Sequence, residues 1–187
     1  MDKRAFLIGF GAFGLVACTS GTQVAQIGPD GLPLPTVYWI RPEDVDAIQF
    51  RMEESINALR QSQGLSTVAL DPNLIAASAT HARDMSVQNR PWLFGSDGSS
   101  PLDRAARAGF QGRLLGELIS ESYETELETL AAWSQDRDTR AVLLDPAARR
   151  IGFAWYQEPA GKLWWTLTVG SEPGVGAPVA APDIRPL

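Results

Sequence analysis

Apolar residues recur three or four apart at Val45, Ile48, Met52, Ile56 and Leu59, behind Pro42 and ahead of Gly64. This spacing predicts one amphipathic helix over residues 42–63. Asp71 followed by Pro72 is a cap and a first helical position, opening a second helix to about residue 88 with Leu74, Ser78, His81, Ala82 and Met85 along one side. Its many alanines predict close packing. Ser100-Pro101 opens a short third helix that stops at Gly109. A fourth, acidic in its first turn, covers residues 124–135 with Leu127, Leu130 and Ala131 inward.

The period changes from helical to alternating toward the C-terminus. Residues 150–157 (RIGFAWYQ) and 162–170 (KLWWTLTVG) read as two strands joined through Glu158-Pro159-Ala160-Gly161, and residues 113–122 as a third. The adjacent Trp164 and Trp165 must point to opposite sheet faces, and Trp155 with one of that pair is expected in the core. Helices first and strands last predict an α+β domain.

With 187 residues and 44% hydrophobic content, the chain supports one core of ordinary size. A net charge of -6 leaves no footprint for nucleic acid or for electrostatic attraction to an anionic membrane. The chain starts MDKRAFLIGFGAFGLVACTSG, a basic start and an apolar run that ends at Ala17-Cys18. This has the pattern of an export signal, too short for an ordinary membrane span. Its end, Leu15-Val16-Ala17-Cys18, resembles the bacterial lipobox, which implies that Cys18 is lipidated and becomes the first mature residue. Thr19 in place of Asp resembles the pattern that sends such lipoproteins to the outer membrane. Cys18 is the only cysteine, so no disulfide forms within the chain. Pro/Gly-rich composition marks linkers. The expected organisation is a lipoprotein signal peptide at 1–17, a flexible tether at 18–41, a domain at 42–170 and a tail at 171–187.

Five segments in order carry a resemblance: residues 56–86 (INALRQSQGLSTVALDPNLIAASATHARDMS), 95–110 (GSDGSSPLDRAARAGF), 116–118 (GEL), 143–155 (LLDPAARRIGFAW) and 164–170 (WWTLTVG). Together they resemble the bacterial branch of the CAP superfamily, that of cysteine-rich secretory, antigen 5 and pathogenesis-related 1 proteins, also called SCP domains. The resemblance spans about residues 44–170 and implies a three-layer α-β-α sandwich with a small antiparallel sheet. It also implies a cleft in which two histidines and acidic residues hold a divalent metal. Here the first histidine position is Leu93 and the second is Thr139, while Glu117 stands in the Gly-Glu-Asn motif with Leu118 for the asparagine. Without imidazole or thiolate a zinc site lacks its ligands, so no metal and no cofactor are expected.

The remaining chemistry is sparse. His81, the only histidine, reads as a hydrogen-bonded structural residue. Ser96, Ser99 and Ser100 suit a turn and a cap, and the glutamates from Glu121 to Glu128 a solvated face. Asp97, Asp103, Glu117, Asp136 and Asp138 form an oxygen-only cation site only if the fold gathers them. Trp92, Leu93 and Phe94 put an apolar trio at the lip of the cleft, whose expected lining is Trp92, Leu93, Phe94, Glu117, Trp133 and Thr139. The expectation is an exported lipoprotein on the periplasmic face of the outer membrane. It binds an envelope protein, glycan or apolar ligand without catalysis, and meets the membrane through Cys18. The alternatives are an extracellular hydrolase using Glu117 as base, or a carrier of a small apolar ligand.

Overall fold

A computed structural model describes residues 37–172 and Gly174. The signal peptide, Cys18, most of the tether and the end of the tail lie outside the described residues.

A single turn of 3-10 helix at Pro42–Asp44 precedes α1, Val45–Ser62, so the proline-started helix tightens before it becomes regular. Ile48, Met52 and Ile56 are buried along it. Gly64 ends it at φ +70°. Arg60, also fully buried, was not legible as a core residue. Its guanidinium donates to the carbonyls of Ser66, Leu143, Asp145 and Ala148 and so ties the end of α1 to the chain entering the sheet.

After β1, Ala69–Leu70, the Asp71 carboxylate caps α2, Pro72–Gln88, by accepting from the backbone of Asn73 and Leu74. Ser100 and Asp103 form a reciprocal capping box at the start of α3, Pro101–Arg107. Strand β2, Leu114–Ser122, leads to α4, Glu126–Gln135, which begins two residues later than the sequence suggests because Thr125 is its cap. Its inward side is Glu126, Thr129, Leu130 and Trp133, whereas Leu127 and Ala131 face solvent. The expected register is off because Glu126 takes an inward position, neutralised by Arg51 at 2.7 Å. Helix α5, Arg137–Leu143, has no counterpart in the sequence reading. Its seven residues, capped by Asp136, are too few to show a period. Strands β3, Arg150–Gln157, and β4, Leu163–Gly170, complete the domain.

The sheet order is β1-β3-β4-β2. Its three long strands are antiparallel, and two-residue β1, read as a connector, adds a short parallel edge beside β3. Helices cover both faces. Trp165, Leu167, Val169, Phe153, Ile151 and Leu118 meet α1, α4 and α5, while Trp164 packs with Ala82 and Met85 of α2. The Trp164-Trp165 pair divides between the faces and both rings are fully buried; Trp155 packs on the core but stays partly exposed. Residues 37–41, which read as the end of a tether, lie along the hairpin, where Gln157 bonds the Tyr38 carbonyl and the Ile40 amide. Among the described residues no helix is long and apolar enough to cross a membrane.

Candidate functional site

Beneath α2, three charged or titratable side chains meet in the interior. Glu117 projects from β2 toward α2, opposite Thr168 of β4, and its side chain is 0% exposed. The Arg104 guanidinium from α3 donates to its carboxylate at 2.6 Å, and to the carbonyls of Leu93 and Ser99 at 2.9 Å each. His81 of α2 lies with Nε2 3.5 Å from the carboxylate but 2.9 Å from the Trp92 carbonyl. Geometry assigns the Nε2 proton to that carbonyl, which leaves Nδ1 as an unprotonated nitrogen without a partner. Ser78 and Thr168 share a 2.7 Å hydrogen bond behind the cluster. Burial therefore encloses a carboxylate, and one well-placed guanidinium compensates it.

The protonation states follow from that enclosure. Burial, reinforced by the nearby Arg104 charge, pushes the His81 imidazole down to about 4, so the ring is neutral at pH 7. Burial also pushes the Glu117 carboxyl up to about 7, against the pull of Arg104. The two groups act oppositely on stability. His81 loses stabilisation as pH falls from about 6.5 to about 4, because only the unfolded chain takes the proton freely; Glu117 loses it as pH rises from about 4.5 to about 7. Each effect is on the order of 3 kcal/mol, and they largely cancel between pH 5 and 6.5. Replacing His81 with glutamine, which keeps a donor for the Trp92 carbonyl, removes one side of that balance. Urea unfolding is then expected to show stability falling from pH 5 to pH 6.5, where the parent chain is nearly flat; a flat profile in the variant would refute this assignment.

Of the residues expected in the cleft, the fold brings Trp92, Leu93 and Glu117 together with Arg104 and His81. Leu93 meets the cluster through its backbone carbonyl, and the residue is 40% exposed; Phe94 beside it is 49% exposed. Trp92 is half-buried, with its indole N–H on Gln88 and the Arg90 guanidinium 4.0 Å above its ring. Trp133 and Thr139 are placed elsewhere. Trp133 is in the core on the α1 side with Leu118 and donates to the Ile119 carbonyl; Thr139 lies in the first turn of α5 and bonds Trp133 and Asp136. Neighbouring positions on β2 face opposite ways, so Glu117 and the Leu118-Trp133 contact fall on different sides of the sheet.

The other acidic candidates are also dispersed. Asp97 pairs with Arg107 and accepts from the Ser99 amide, Asp103 serves the α3 capping box, and Asp136 caps α5. Among the described residues no three His, Cys, Asp or Glu side chains gather closely enough to hold a metal ion. Ser96 donates from both its amide and hydroxyl to Asp84, and Gln88 joins the same carboxylate. A cavity of about 430 Å³ opens between α2, α3 and this turn, with Thr80, Asp84, Asp97, Arg104 and Arg107 on its walls. The residue that sequence reasoning missed is Arg104. Its only signal was a cation in a short helix beside the Gly-Ser-Asp-Gly turn.

The profile of the cysteine-rich secretory protein family, CAP, matches residues 53–169, the span that holds the sheet, α2 and this cluster. The chain belongs to the CAP family. It is 27% identical over 129 residues to the uncharacterized protein YkwD of Bacillus subtilis, covering 69% of this chain and 49% of that protein. It thus spans about half the length of that curated relative. Among solved structures, the CAP fold here superimposes with a TM-score of 0.63 on an extracellular SCP-domain protein of Bacillus anthracis, at 18% identity over 72% of this chain and 45% of that one. An outer surface protein of Borrelia burgdorferi gives 0.61 at 15% identity, covering 73% of this chain and 100% of the other. At these identities the structures establish the shared α+β fold. The metal implied by CAP resemblance does not fit the residues present: Leu93 and Thr139 offer no imidazole, and Glu117 is already held by a cationic guanidinium.

Proposed function

We propose that this CAP-family protein is an exported lipoprotein of the bacterial envelope, anchored through Cys18, which works by binding rather than catalysis. The observation that carries the reading is Glu117. The only acidic residue that the family resemblance places in the cleft is enclosed at 0% side-chain exposure and clamped to Arg104 at 2.6 Å. A general base has to reach a substrate proton, and this one reaches a guanidinium. Leu93 at the first histidine position presents an apolar side chain outward instead of a ligand inward. The basic start, apolar run and Ala17-Cys18 junction support export and lipidation, in keeping with the extracellular and outer-surface descriptions of two structural neighbours. The binding partner belongs to the envelope, whether protein, glycan or apolar ligand.

Calorimetric titration of the chain with Zn²⁺, Ca²⁺ and Mg²⁺ tests the non-metal cleft. No saturable heat at micromolar protein is expected. One site per chain with sub-micromolar affinity would overturn the reading.

A further inference from the structure

We propose that the end of the domain formed by the β3–β4 turn, the C-terminus of α2 and residues 92–94 docks on the lipid surface that holds the N-terminal anchor. The proposal rests on the lipid-anchor reading above and adds which face meets the bilayer.

The first support is the way the apolar segment is held. Three consecutive carbonyls, of Trp92, Leu93 and Phe94, accept hydrogen bonds from His81 at 2.9 Å, Arg104 at 2.9 Å and Gln88 at 3.2 Å. With the backbone fastened inward, Leu93 and Phe94 hold their side chains toward solvent. Trp92 is fixed by Gln88, by Arg90 and by an edge contact with Phe94 at 5.7 Å. An apolar protrusion ordered in advance loses little entropy when it is buried. The buried Glu117-Arg104-His81 cluster thereby gains a role, as the fastening under this segment.

The second support is location. Lys162 in the β3–β4 turn bonds Asn89 at the end of α2, and Glu158 bonds Ser86. Val37 and Trp39 lie against Gly161 of the same turn, and β2 reaches this end where Ser122 pairs with Leu163. Eight large apolar side chains are exposed among the described residues. Three of them, Trp39, Val87 and Tyr123, flank the turn and the end of α2, and Leu93 and Phe94 join them through Gln88, the last residue of α2, so this end carries more exposed apolar side chains than the rest of the described surface.

The third support is the chain itself, which enters the described domain at Val37, at this same end. Eighteen residues separate Cys18 from Val37. Chain length alone limits the distance between an acyl anchor at Cys18 and this face to about 65 Å at full extension. A tether of this kind makes weak insertion sufficient. Electrostatics do not drive it: Lys162 neutralises Glu121, Ser86 and Trp164 bind Glu158, and Glu124 and Glu128 leave no basic excess. The attraction comes from burying apolar side chains, with Trp and Tyr suited to the headgroup boundary.

The test uses the mature chain recovered from a bacterial membrane and reconstituted in phosphatidylcholine vesicles. A polarity-sensitive nitrobenzoxadiazole label is placed on Phe94→Cys or, at the exposed far end of α1, on Gln61→Cys. The unsubstituted chain should take no label, because Cys18 is acylated. The label at 94 should emit to the blue and be quenched by doxyl lipids at low and high salt, while that at 61 stays water-like. A water-like label at 94 on a chain that floats with the vesicles overturns the docking and spares the anchor. An unsubstituted chain that labels at Cys18 and does not float overturns both. Shielding at 94 seen only in whole envelope membranes assigns the face to a protein partner, which also overturns the proposal.

Discussion

Replacing Gly152 with alanine is expected to destabilise the domain by more than about 4 kcal/mol, enough to leave much of the chain unfolded at 37 °C. Gly152 sits near the start of β3 on the face covered by α2, and an added Cβ would collide with the backbone of Leu74 and Ile75. A flexible side chain yields to a new methyl, but a helix backbone moves only with the whole helix. Shifting α2 would also part Ser78 from the Gly152 carbonyl and loosen His81 over Glu117. Urea unfolding followed by circular dichroism measures the loss, and Gly64→Ala is the comparison. At Gly64 the positive φ makes alanine unfavourable by about 1 kcal/mol, while no atom lies within 4 Å of the added carbon. Equal losses at both positions would refute the close-approach explanation.

Removing the Arg104 charge is expected to be nearly as severe. Arg104→Met keeps most of the side-chain volume but leaves the Glu117 carboxylate buried without its cation, and the Leu93 and Ser99 carbonyls without their donor. Losing one partner of a buried pair costs about 3–5 kcal/mol where the other stays charged, here above about pH 7 where Glu117 is ionised, whereas replacing both with apolar groups is often close to neutral. The double variant Arg104→Met with Glu117→Leu should therefore recover most of the lost stability. A double-mutant cycle measures the coupling directly, and additive single effects would refute the pair as a unit. Hydrogen exchange should show loss of protection around residues 92–99 in Arg104→Met, even in conditions where the variant remains folded.

Much of the scaffold was legible in the chain. The caps at Asp71 and Ser100, the proline starts and the strand periods placed α2, α3, β3 and β4 within a residue or two. These are local signals, decided by hydrogen bonds and dihedral preferences a few residues apart. The elements missed were those too short for a period: β1, with two residues, exists because the Leu70 region lies beside Ile151, far away in sequence. The rotation of α4 was misjudged for a related reason. A glutamate reads as surface unless its arginine partner, 75 residues away, is known to reach it.

The candidate site divides the same way. The sequence by itself determined the α+β class and the family resemblance, and it put Leu93 and Thr139 where that resemblance implies histidines and Cys18 at the end of a lipobox-like run, because each is a matter of residue identity in local order. Only the tertiary structure decided that Trp133 and Thr139 stand apart from Glu117, since the pleat of β2 sends Glu117 and Leu118 to opposite faces. It also supplied Arg104. A guanidinium 13 residues before a glutamate carries no signal until α3 and β2 are packed against one another. That packing excludes water from the carboxylate and fastens Trp92, Leu93 and Phe94 with their side chains outward.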